Sequence, residues 1–146
     1  MKSLELLALN NFPLIKPGDN LASIILKSIL KNKLIINDND IIVIAQKVVS
    51  KAENRYVDLE KIKISDDAIN LASKLNRNPG FIQAVINESN KILSTKKNVI
   101  IVEHKLGFIN VNAGIDLSNV PSKKLALLLP EDPRKSAKAV SYTHLT

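Results

Sequence analysis
The sequence predicts an α+β domain, a mixed β-sheet with flanking helices, and three features carry that prediction. Residues 21–31, LASIILKSILK, place apolar side chains at a helical period. Residues 41–45, IIVIA, are a continuous apolar run of strand length, the pattern of a strand buried on both faces. Residues 98–104 and 108–112 are β-type runs on either side of a short turn.

Taken in order, residues 4–9 read as a first short strand. Residues 10–20 form a turn-rich segment holding Pro13 and Pro17-Gly18-Asp19. In the helix at 21–31, Leu21, Ile24, Ile25, Ile29 and Leu30 share a face, and Asp19 or Asn20 caps its start. Residues 37–40 are a polar turn before the strand at 41–45. Residues 46–52 are expected to continue that strand outward and turn polar, and 55–59 to return as a short strand. Ser65 caps a helix over 66–75, with Asp66 and Asp67 in the first turn, where the helix dipole favours them. Asn78-Pro79 starts a helix that runs to about Asn90, with Asn as cap and Pro at the first helical position. The strands at 98–104 and 108–112 meet at Lys105-Leu106-Gly107, and 125–129 is a further apolar strand. Asp132-Pro133 then caps a helix over 134–140. The final SYTHLT departs from the Lys/Ile/Asn style before it. Residues 1–140 are therefore read as the domain, incomplete, and 141–146 as a non-native tail.

Length and composition narrow the function. A chain of 146 residues supports one hydrophobic core and is short for two. With 45% hydrophobic and 24% charged residues it is an ordinary globular composition. Aromatics are 3% with no Trp, so the core must be Ile, Leu and Val. The absence of Cys excludes disulfides, thiolate catalysis and Cys-based zinc sites. No apolar run approaches the ~20 residues that span a bilayer, and the N-terminus lacks a signal-peptide pattern. The expected location is the cytoplasm, without membrane association. The formal charge of +7, spread over many Lys, is either a solvated surface or an attraction for polyanions such as nucleotides. Nucleic acid is disfavoured as a partner, because few aromatics are available for base stacking. A non-catalytic basic module that binds nucleic acid or acidic partners is the alternative.

Two segments carry candidate chemistry. Residues 108–120, FINVNAGIDLSNV, run from a β-type alternation through Ala113-Gly114 to Asp116, Ser118 and Asn119. This gathers hard oxygen donors of the kind a divalent cation with phosphate prefers. The competing reading is a loop whose Asp and Asn satisfy their own Asx-turn hydrogen bonds. Residues 46–52, QKVVSKA, place Lys47 and Lys51 where they either meet a phosphate as point charges or merely solubilise a strand end. His104 reads as structural. Neither GxxxxGK[ST] nor GxGxxG occurs, and no Ser/His/Asp spacing supports a triad.

Several segments, in order, resemble one family, the GTP-dependent coenzyme F-420-0: L-glutamate ligases, or γ-glutamyl ligases. The carrying stretches are NNFPLIKPGDNLA, IIVIAQKVVSKAENR, NPGFIQAVINES, GFINVNAGIDLSNV and LLLPEDPRKSA; VVSKAE and NAGIDLSNV are the specific ones. The resemblance covers the chain to about Val140 and marks it as the N-terminal part of such a protein. It implies an enzyme that adds L-glutamate in γ-linkage to a deazaflavin coenzyme precursor. GTP is the implied co-substrate, with a divalent metal (magnesium or manganese) and a monovalent cation (potassium), in a homodimer. Matched residue by residue, it implies nucleotide contacts at Asn11, Phe12, Pro13, Leu14, Gln46, Lys47, Lys51 and Asn119, and a metal ligand at Asp116. Asn11 stands where the family's first turn usually has Gly, and Asn tolerates the positive φ such a turn requires. The family's further Asp-Thr/Ser metal motif has no counterpart here, so the chain alone is expected to be impaired.

Overall fold
A computed structural model describes residues 3–142; residues 143–146 of the expected tail, His144 among them, lie outside the described residues. The chain divides into two compact units, Met1–Asn54 with Asp132–Thr146, and Arg55–Glu131.

In the first unit, helix α1 spans Leu21–Lys31 as its apolar period predicts, and the Ser23 N–H donates to the Asn20 side chain at 3.0 Å. Leu21, Ile25 and Ile29 form the buried stripe, but Leu30 is exposed, being displaced from that stripe by one residue. Helix α2 spans Gln46–Ala52, which corrects the expected outward continuation of a strand. Its Val48, Val49 and Ala52 recur at helical spacing and pack on the cluster of Leu21, Ile25, Ile29 and Val140. Residues 4–9 and 41–45, expected as strands, are assigned to no strand. Helix α5, Pro133–Tyr142, adds Val140 to the core, and Asp132 Oδ1 accepts the Arg134 and Lys135 N–H groups at its start.

The second unit holds strands β1 (Tyr56–Asp58), β2 (Ser89–Lys96), β3 (Val99–His104), β4 (Ile109–Val111) and β5 (Leu125–Leu127), with helices α3 (Asp66–Leu75) and α4 (Pro79–Asn87). The α+β class holds. In place of one mixed sheet, the described residues form two antiparallel sheets, β1-β5 and β2-β3-β4. Strand β3 alternates cleanly: Ile100, Val102 and His104 are buried, and Val99, Ile101 and Glu103 only partly so. Phe81, Ile82 and Val85 of α4 lie in the same core as Ile100 and Val102. Both helix starts follow their caps. Ser65 Oγ accepts the Ala68 N–H at 3.3 Å, and Asn78 Oδ1 accepts the Phe81 N–H at 3.0 Å. Helix α4 ends at Asn87 rather than Asn90, because Ser89 already pairs with His104 as the first residue of β2.

Candidate functional site
The site residues inferred from the sequence divide between the two units. In the first unit Asn11 adopts φ 54°, the left-handed conformation that the turn requires and that Asn accepts at small cost. The turn is held at both ends. The Asn10 N–H donates to Asn32 Oδ1 at 3.0 Å, just past the end of α1, and the Gly18 N–H donates to the Ala52 carbonyl at 2.9 Å, at the end of α2. Phe12 packs into the same core as Val48 and Val49, while Pro13 and Leu14 face outward. The turn and α2 are therefore seated on one hydrophobic cluster.

Within α2, Gln46 Nε2 donates to Ser50 Oγ at 2.6 Å, and Ser50 is wholly buried. The packing of Val48, Val49 and Ala52 on the core sets the rotation of the helix. Lys47 and Lys51 are four residues apart on it, so they lie one turn apart on a common face. Both residues are half-buried. As a helix, the segment brings the two ammonium groups nearer together than a strand would, since a turn rises about 5.4 Å and four strand residues about 13 Å.

In the second unit the segment after β4 is an unusual turn. Asn112, Ala113 and Gly114 all take positive φ, at 51°, 54° and 66°. For Ala113 this conformation costs roughly 1–2 kcal/mol, and the residue is nevertheless fully buried in the core. Asn112 Oδ1 accepts the Ile100 N–H at 3.1 Å, which ties the turn to β3. Ile115 is buried, and Asp116 pairs with Leu127 of β5 by two backbone hydrogen bonds of 2.9 and 2.8 Å. A strained turn held this firmly presents the next loop in one geometry. There Asp116 Oδ1 accepts the Ser118 N–H at 2.8 Å and the Ser118 hydroxyl at 2.7 Å, as the Asx-turn reading expects. Asn119, at φ 53°, is exposed beyond it.

The donor set bears on a metal. No group of three His, Cys, Asp or Glu able to hold an ion occurs among the described residues. A hard divalent cation takes about six oxygens, and magnesium is commonly held by one or two carboxylates plus phosphates and water. Asp116 fits one ligand of such a shared ion and does not form a self-contained site.

His104 is structural, as expected. It is buried, its Nδ1 accepts the Leu106 N–H at 3.0 Å, and its ring stacks on Phe108 with centroids 5.0 Å apart. Burial lowers its pKa, against a raising influence from Glu88 and with smaller lowering ones from Lys105 and Arg55. Glu88 belongs to a cluster that the sequence did not reveal. It accepts a hydrogen bond from Arg55 at 2.9 Å, with Lys105 at 3.8 Å and His104 at 3.9 Å. These residues are too far apart in sequence for any spacing signal.

The chain is a ligase-family protein: it belongs to the F420-0:Gamma-glutamyl ligase family, whose match covers residues 10–143. It is 37% identical over 140 residues to the Coenzyme F420:L-glutamate ligase of Methanothermobacter thermautotrophicus, covering 96% of this chain and 55% of that protein. It is 40% identical over 144 residues to the protein of the same description in Natronomonas pharaonis, covering 94% and 54%. The Archaeoglobus fulgidus counterpart is 38% identical over 133 residues, covering 91% and 51%. The chain spans about half the length of the curated relatives it matches. Family membership leaves the basic binding module without support. No helix among the described residues is long and apolar enough to cross a membrane.

Proposed function
We propose that this chain is the nucleotide-handling part of a GTP-dependent γ-glutamyl ligase that adds L-glutamate to a deazaflavin coenzyme precursor in the cytoplasm. The observation that carries the reading is the pair Lys47 and Lys51 on one face of α2, beside a turn seated on the same core. Two cations one turn apart suit a polyphosphate, whose charges are similarly spaced. The Asn11–Leu14 backbone and Gln46 are assigned the remaining contacts of the first unit, and Asn119 one in the second.

The reaction follows from the chemistry of amide synthesis. A carboxylate oxygen of the precursor attacks the γ-phosphorus of GTP and expels GDP, leaving an acyl phosphate. The glutamate amine then attacks the acyl carbon, loses a proton, and displaces inorganic phosphate. A magnesium or manganese ion, when bound, neutralises developing charge on the phosphates. Asp116 is assigned as one of its ligands, because Ser118 and the β5 pairing hold the carboxylate in place. The Lys side chains orient the triphosphate and offset its charge. Potassium and a homodimeric assembly belong to the same reading and rest on the family resemblance.

Titration calorimetry tests the binding half. GTP binds this chain in a magnesium-dependent manner, and Lys51→Ala weakens it about tenfold, the equivalent of ~1.4 kcal/mol. Undiminished binding in Lys51→Ala and in Asp116→Asn, or tighter binding of a random oligonucleotide with a steep salt slope, overturns it.

A further inference from the structure
We propose that residues 3–9 and 40–45 of the first unit form a docking edge for the part of the polypeptide that the relatives carry outside the matched region. The inference needs the family membership alone and is independent of the reaction assigned above. Exposure along the second segment alternates with the period of a strand. Ile41 and Val43 are 87% and 88% exposed, whereas Ile42 is 38% exposed and Ile44 packs against the core. The first segment is exposed from Ser3 to Ala8, with Leu4, Leu6 and Leu7 86%, 85% and 62% exposed, and Leu9 packs against the same cluster. The second segment thus fastens one side to the unit's core, the first is anchored at Leu9, and both leave apolar side chains facing outward. No backbone hydrogen bond joins residues 3–9 or 41–44 to another described residue.

An unpaired backbone with β-branched and aliphatic side chains facing out is the edge that folded proteins avoid leaving open. Glu5 and Asp40 are the charges in these segments, and residues 41–45 carry none to guard the edge. The occupant is a strand-forming stretch of the same protein. The relatives are close to twice as long as the matched stretch, which is enough chain to cover the edge. A tethered segment also acts at a high effective concentration, which a separate partner does not.

Hydrogen exchange followed by mass spectrometry compares this chain with a chimera joining it to the unmatched part of the Methanothermobacter relative. Amides of residues 4–8 and 41–44 slow by at least about tenfold in the chimera and stay fast in the 146-residue chain. Unchanged exchange in a folded chimera overturns the proposal. So does slowing in the shorter chain that grows with its concentration, which assigns the edge to a second copy. Where the chimera does not fold, the unmatched part is added as a separate polypeptide to the isotope-labelled chain. Amide shifts at these residues, abolished by Ile41→Lys with Val43→Lys, support the proposal; their absence counts against it. Because the readout is protection and not GTP binding, its failure is distinct from failure of the ligase reading.

Discussion

Arg55 and Glu88 meet at 2.9 Å, and Lys124 and Glu60 at 2.7 Å, yet the two pairs occupy different media. The first pair is 22% and 13% exposed and the second 61% and 59%. Arg55 also donates from Nε to the Leu129 carbonyl at 2.8 Å. Removing Arg55 takes the hydrogen-bonded cation from a mostly buried carboxylate and leaves it the longer Lys105 contact, so Arg55→Ala is expected to lower stability by about 3 kcal/mol in urea unfolding. Lys124→Ala is expected to leave the unfolding midpoint where it was, because exposed pairs are screened and mobile. Comparable losses in the two variants contradict this ranking. His104 adds a pH dependence. Its Nδ1 accepts a backbone N–H, so the neutral ring carries its proton on Nε2. Burial lowers its folded-state pKa below the unfolded value of about 6.5. The unfolded chain then takes up the proton first as pH falls. The stabilisation is present above about pH 6.5 and is lost as pH drops through the folded-state value. Urea unfolding at neutral and mildly acidic pH is expected to show this loss, and His104→Gln to reduce it. An undiminished pH dependence in the variant assigns the effect elsewhere.

At the scale of elements, the helix starts were legible because capping is local. Asn20, Ser65 and Asn78 each accept a backbone N–H three residues on, and each stands where the sequence puts it. Strand β2 was not legible. SNKILSTK lacks apolar alternation because the strand is exposed along nearly its whole length, and its partner is set by pairing with β3. Residues 46–52 misled for the opposite reason. The apolar run before them suggested a strand, and only the common core with α1 shows why Val48 and Val49 belong on a helix. The candidate residues are read from the sequence, and their geometry is not. The left-handed Asn11 follows from its residue type, but the left-handed Ala113 has no local signal and persists because the core surrounds it. Packing between elements makes its own prediction at Gly80, in the first turn of α4. A Cβ there would collide with the Leu59 carbonyl oxygen. Gly80→Ala is therefore expected to destabilise by about 1–3 kcal/mol, although Ala alone favours a helix by about 1 kcal/mol over Gly. A rise in melting temperature in this variant is the contrary outcome.

For the whole molecule, the chain forms two compact units and belongs to the F420-0:Gamma-glutamyl ligase family. The first carries Lys47 and Lys51 on one face of a helix, and the second carries Asp116 behind a strained turn. In the proposed reaction the net charge of +7 attracts phosphate-bearing substrates. The most direct measurement is mass spectrometry of the reaction itself. The chain joined to the unmatched part of the Methanothermobacter relative is incubated with GTP, L-glutamate, magnesium and the deazaflavin precursor. Product heavier by one glutamyl group or more is expected, with one GDP and one phosphate per addition, and a fall of about tenfold or more in kcat/KM for Lys51→Ala. Glutamate addition that proceeds equally well without GTP, or a folded protein that leaves GTP and precursor unchanged, would contradict the proposed reaction.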